Sequence, residues 1–165
     1  MGRNWDSSDD AARTLELSDF GVYAQVHAMA QMDRVPETYN QAREILSSLV
    51  GQLLASRSGL HATLSKNSIE EILSGTSKDA SYDLKAHLLA AGNIDKLYNN
   101  AIEPWTFEMN PNKNNSNLVS VHRLFASMRY KEDIIVVKIT VKEMKNSNDR
   151  NRIYTIKVLD VFLKK

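Results

Sequence analysis

The hydrophobic periodicity of this chain changes for good near residue 118, after one brief alternation at Leu60–Leu64, and that change limits what it can fold into. Before it, apolar residues recur three or four apart, the spacing of an amphipathic helix; after it, β-branched residues alternate at the period of two that belongs to a strand. A helical N-terminal half followed by a β-rich C-terminal third is the pattern of an α+β domain. The expectation is a set of helices packed on an antiparallel sheet of about four strands.

Within the first half, residues 1–18 are polar and read as a flexible arm, and residues 19–165 as a single domain. The spacing of Phe20, Val22, Tyr23, Val26 and Met29 predicts a helix over Asp19–Met32. Pro36 suits the first turn of a second helix, whose apolar stripe runs from Tyr39 through Ala42, Ile45, Leu46 and Leu49 to Leu53. Leu60, Ala62 and Leu64 alternate with His61 and Thr63 and predict a short strand. Asn67 and Glu70 resemble a capping box for a short helix over SIEEILS, closed by Gly75. A longer helical stretch, YDLKAHLLAAGNIDKLYNNAI, is expected to break around Gly92 and Asn93, because both residues disfavour helix interiors. EMNPNKNNSN, with its five asparagines, reads as a loop. Residues 118–126, 133–143 and 152–162 then predict three adjacent antiparallel strands, the last two joined by the KNSND turn.

Charge divides along the same line. Residues 1–110 hold nine Lys/Arg against fifteen Asp/Glu, and residues 111–165 hold twelve against five, although the whole chain is only +1. A segment with that excess can attract a polyanion locally, or the two halves can simply attract each other. With no cysteine, disulfides and thiolate-held metals are excluded. No apolar run approaches the roughly 20 residues that span a bilayer. The opening MGRNWDSSDD lacks a secretory pattern, so the expected setting is cytoplasmic without a membrane partner. Gly-rich phosphate loops and G-x-S-x-G are absent, which removes the usual support for kinase, P-loop and hydrolase chemistry.

The candidate site follows from strand faces. If Val119, Val121 and Phe125 meet the helices together with Ile135, Val137, Ile139 and Val141, the opposite face carries Ser120, His122, Lys138, Thr140, Lys142, Thr155 and Lys157. Histidine, lysine and hydroxyl groups on one face suit metal-free RNA cleavage. The 2′-hydroxyl must lose a proton, the leaving oxygen must gain one, and the extra negative charge at phosphorus needs fixed cations. The same stripe equally describes a solvated sheet face. His87, flanked by Leu84, Leu88 and Ala91, reads as a hydrogen-bonded histidine at the core edge, His27 as structural, and His61 as either a surface or a site residue. No histidine has a His or carboxylate partner at zinc-ligand spacing, so neither a metal nor a cofactor is expected.

From about residue 58 onward the order of pieces resembles the large polyvalent-protein-associated domains of phages and mobile elements. The resemblance is carried by SGLHATLSKNSIEEILSG, KAHLLAAGNIDKLYNNA, HRLFASMRYKEDIIVVKITVKE and RIYTIKVLDV. It implies a nuclease-like core over 58–165 of the barnase–EndoU–colicin–RelE superfamily, with residues 19–55 as a helical extension. Ser65, Lys66, His87, His122, Lys138, Thr140 and Tyr154 match family positions. The implied catalytic set is His122, His87, Lys138, Thr140 and Tyr154, with Lys66, Ser65, His61, Arg123, Lys142 and Lys157 on the RNA. The expected activity is a metal-independent ribonuclease whose substrate is RNA, tRNA among the candidates. The alternatives are a non-cleaving nucleic-acid binder and a catalytically silent module that inhibits a host or defence protein.

Overall fold

A computed structural model describes residues 29, 31–75, 79, 81–103, 108–109, 118–145 and 151–163. Among them are four helices, α1 (Tyr39–Leu49), α2 (Lys66–Ile72), α3 (Leu84–Gly92) and α4 (Ile94–Asn100). The strands are β1 (Leu53–Ala55), β2 (His61–Thr63), β3 (Glu108–Met109), β4 (Leu118–Tyr130), β5 (Asp133–Met144) and β6 (Asn151–Leu163). They form one six-stranded sheet in the order β1-β2-β6-β5-β4-β3. The α+β class holds, and the three long strands are adjacent and antiparallel as the alternation predicts. The sheet is larger than expected and mixed, because β2 meets β6 in parallel at Thr63 and Arg152.

Local chemistry explains most boundaries. α1 starts at Tyr39 rather than Pro36, with Thr38 Oγ1 accepting from Gln41 N at 3.2 Å as an N-cap. The buried Pro36 instead lies against Gly92, where an added Cβ would fall 2.7 Å from the proline Cγ. That contact explains why the α3–α4 junction carries a glycine: the helix breaks at Asn93, as its composition predicts, and the chain before α1 crosses the break. Asn93 Nδ2 donates to the Arg34 carbonyl at 2.7 Å, while Arg34 pairs with Asp95 at 2.7 Å. β1 was not expected, since Leu53 continues the helical stripe; Gly51, with φ +86, ends the helix and turns the chain. The cap of α2 is Ser65 rather than Asn67, in a reciprocal box with Ser68. The helix expected over Asp19–Met32 lies mostly outside the described residues, and Met29, at its described end, bridges to Ser127. The arm over 1–18, residues 110–117 of the asparagine loop and residues 146–149 of the KNSND turn also lie outside them.

The core sits between the helices and one sheet face. Leu46, Ile72, Ile94 and Leu97 meet Leu124, Met128, Val137, Ile139 and Ile156, each at most 1% exposed. Two polar staples cross it. Tyr98 donates to the Leu60 carbonyl at 2.8 Å, and burial raises its pKa. His87 is fully buried, with Nε2 2.7 Å from the Ile72 carbonyl and Nδ1 2.6 Å from Ser81 Oγ. A carbonyl accepts only, so Nε2 carries the proton and Nδ1 accepts from Ser81, whose oxygen accepts in turn from Val158 N at 3.0 Å. His87 thus joins α2, α3 and β6.

Candidate functional site

Beyond its parallel contact with β2, β6 runs beside α2, and a cleft of about 350 Å3 opens there. Its walls are Ser65, Asn67, Glu70 and Glu71 from the helix side and Lys142, Met144, Arg152 and Tyr154 from the sheet. A second hollow of about 290 Å3 shares Ser65, Asn67 and Arg152 and adds Lys66 and Thr63. The two adjoin around the first turn of α2.

A β-bulge supplies the cleft with its aromatic side chain. Val141 pairs with Ile153 and Thr140 with Thr155, leaving Tyr154 as an extra residue. Lys142 Nζ sits 3.4 Å from the centroid of the Tyr154 ring, a cation–π contact. Ser68 Oγ donates to the Ile153 carbonyl and ties α2 to the bulge. Burial lowers the Lys142 pKa, opposed by the Glu71 charge. Burial raises that of Tyr154, reinforced by the nearby Glu71 carboxylate. The phenol therefore keeps its proton at neutral pH.

The residues proposed from sequence divide into three places. Ser65, Lys66, Lys142 and Tyr154 come together at the cleft. His61 is exposed on β2, and its carbonyl accepts from Asn151 Nδ2 at 3.0 Å at the same sheet edge. Lys138, Thr140, Lys157 and Arg123 line the face that also carries Lys142: Arg123 opposes Thr140 and Thr140 opposes Thr155, while Phe125 opposes Lys138 and Lys138 opposes Lys157. This face is not the open solvated stripe that the lysines suggested, since Phe125, Ile134, Val136 and Lys138 are all buried on it.

His122 requires a correction. It opposes Val141, so it and Ser120 point to the helix-covered side, away from Lys138. There His122 Nδ1 lies 2.7 Å from Glu103, and Ser120 Oγ lies 2.9 Å from Glu143. His87 likewise stands apart, committed to the core staple. Arg152, Glu71 and Asn67 were missed as site residues. Arg152, two positions before Tyr154, was the readable signal for the cleft; Glu71 and Asn67 look only like helix surface and cap. Among the described residues no group of three or more His, Asp or Glu side chains is placed to hold a metal ion. No described helix is long and apolar enough to cross a membrane.

The structure thus defines an α+β domain with a tyrosine-bearing cleft, in which Lys142 and Arg152 face Glu70 and Glu71, at the junction of its helical and sheet halves. The chain belongs to the large polyvalent protein-associated domain 3 family, whose model matches residues 34–154. That span starts at Arg34, the residue that straps the chain to α4, ends at Tyr154 and includes α1. Neither a curated protein nor a solved structure matches the chain.

Proposed function

We propose that this domain is a metal-independent ribonuclease of a phage or mobile-element protein, acting on RNA at the α2–β6 cleft. The observation that carries the reading is the convergence of Lys142, Arg152 and Tyr154 with Glu71 in one cleft. Cleavage needs a base, an acid and fixed positive charge, and these four side chains offer all three. Glu71 takes the proton of the 2′-hydroxyl, whose oxygen then bonds to phosphorus. The bond from phosphorus to the 5′-oxygen breaks, leaving a 2′,3′-cyclic phosphate. Lys142, made more acidic by burial, gives a proton to the departing 5′-oxygen. Arg152 holds the phosphate oxygens, and Lys66 in the adjoining hollow takes the next phosphate along the strand. Tyr154 positions Lys142 through its ring.

The test is cleavage of a labelled RNA in the presence of a chelator, with a strand carrying a single 2′-deoxy nucleotide at the cut site as control. The expected result is cleavage that survives chelation, fails at the deoxy position, and falls roughly 10²–10⁴-fold in Glu71→Gln. His122→Gln, which removes a side chain of the other face, retains cleavage. Wild-type protein that binds RNA without cutting it reduces the site to a nucleic-acid binder; protein that does neither points to the protein-interaction alternative.

A further inference from the structure

We propose that Ser65 accepts a hydrogen bond from the 2′-hydroxyl of the nucleotide that follows the cut, so that the domain selects RNA over DNA at two successive riboses. The proposal rests on the RNA reading of the α2–β6 cleft and concerns the adjoining hollow of about 290 Å3, where that reading puts the next phosphate against Lys66. Ser65 lines both hollows, together with Asn67 and Arg152, and so stands where a strand passes from one to the other. Glu71, which takes the 2′-hydroxyl proton of the cut nucleotide, lies six residues further along the chain on α2. At 1.5 Å of rise per residue the two are roughly 9 Å apart along the helix axis, too far for one ribose hydroxyl to reach both.

The capping box leaves Ser65 as an acceptor. A serine hydroxyl has one proton and two lone pairs. The buried Ser68 gives its proton to the Ile153 carbonyl, a group that only accepts, and its oxygen accepts from Ser65 N at 3.0 Å. Ser65 Oγ lies 3.0 Å from Ser68 Oγ, and because the Ser68 proton is already committed, Ser65 is the donor between the two hydroxyls. Ser65 Oγ also accepts from Ser68 N at 3.2 Å. Ser68 has then used its whole valence, while Ser65 keeps a single lone pair. The half-buried Ser65 therefore meets a ligand as an acceptor only. A phosphate oxygen is itself an acceptor and finds no proton at Ser65; in the same hollow it finds Lys66 and Arg152, which are donors only. Val50, Gly51 and Leu64 give the hollow an apolar side for the carbon face of a sugar. Along a nucleic-acid backbone the 2′-hydroxyl of ribose is the group that can donate, and deoxyribose lacks it. The hollow thus places cations for phosphate beside one acceptor for a hydroxyl.

The test uses the whole chain and deoxyuridine strands, whose bases carry no amino group, with ribose at one nucleotide as the cut site. The nucleotide that follows is made ribose, deoxyribose or 2′-fluoro, the last keeping a substituent without a proton. For cleavage at the first site, kcat/KM should be about three- to tenfold higher with the hydroxyl than with hydrogen or fluorine, the yield of one uncharged hydrogen bond. In Ser65→Ala the three strands should be cut at equal rates. Ser65→Gly should do the same and serves if the alanine variant fails to fold, because glycine is tolerated at a helix start. Lys66→Gln should slow all three strands alike and keep the preference for the hydroxyl. No preference in the wild type, a fluoro strand cut as fast as the hydroxyl strand, or a preference that survives in both Ser65 variants overturns the proposal. If the domain binds RNA without cutting it, the affinities of the same strands decide the matter in the same way. A domain that neither binds nor cuts any strand loses the RNA reading, and this proposal with it; binding or cutting that ignores the second hydroxyl overturns this proposal alone.

Discussion

The two faces of β4, β5 and β6 use residues of similar appearance for opposite ends. On the helix-covered face, Leu124, Met128, Val137, Ile139, Val141 and Ile156 are at most 1% exposed, and the row changes to the polar group of His122, Ser120 and Glu143 toward one end of the strands. On the other face, apolar Phe125, Ile134 and Val136 share the surface with Arg123, Lys138, Lys142, Arg152 and Lys157. The first face concentrates what must leave water; the second scatters cations among buried groups and delivers two of them to the cleft. The position of a polar side chain along the strand therefore says less about its role than the face on which it lies.

The sharpest way to break this comparison is to truncate neighbours that point in opposite directions. Ile139→Ala removes a fully buried side chain packed against the helices and should destabilise the domain by about 2–5 kcal/mol. Thr140→Ala, one residue along and half-buried on the other face, should cost no more than about 1 kcal/mol. Chemical denaturation monitored by circular dichroism measures both. A larger loss for Thr140→Ala than for Ile139→Ala would mean that the register is wrong by one residue and that every side chain on β5 has changed face.

That same parity is where the sequence was legible and where it was not. β5 is apolar at both parities up to Val137 but polar at its even positions from Lys138 on, and its odd residues from Ile135 to Val141 were assigned to the helices as the register has them. β4 does not alternate: Val119, Val121 and Phe125 are apolar at one parity and Leu124, Ala126 and Met128 at the other. Either set can serve as the core face, and choosing the first sends His122 to the wrong side. The buried face opposite the helices removes the one physical cue, a polar side, that would have decided it. The break at Gly92–Asn93 and the three long strands were readable because glycine, asparagine and β-branched runs act locally. The cleft was only partly readable, because Glu71, Lys142 and Tyr154 are distant in sequence and meet through a bulge that no residue type announces.

A smaller effect is expected at His87, the polar exception within the apolar face. His87→Leu keeps much of the volume but leaves the Ile72 carbonyl and the Ser81 hydroxyl without the ring that joins them. Lost hydrogen bonding of buried groups sets the cost at about 1–3 kcal/mol. Hydrogen exchange should quicken at Val158 N, whose acceptor is Ser81 Oγ. A leucine variant as stable as the wild type would make His87 a passive filler, indistinguishable from its aliphatic neighbours.

Apart from the Thr140 control, the smallest expected change in stability falls at the cleft, where Ser65 both caps α2 and lines the two hollows. Its Oγ accepts from Ser68 N at 3.2 Å, while Ser68 Oγ accepts from Ser65 N at 3.0 Å and donates onward to Ile153. Ser65→Ala deletes half of this box and should cost about 1 kcal/mol, equivalent to roughly 2–4 °C in melting temperature for a domain of this size. Ser65→Thr, which keeps the hydroxyl cap, should restore most of it. The pair separates two roles that the structure superimposes. If alanine lowers stability and threonine rescues both stability and RNA binding, Ser65 acts by fixing the helix that presents Glu71. If threonine rescues stability alone, the added methyl group has disturbed a direct contact with the ligand. An alanine variant of unchanged stability would mean that Ser68 and its tie to the bulge hold α2 in place, and that the cleft owes its shape to the sheet side.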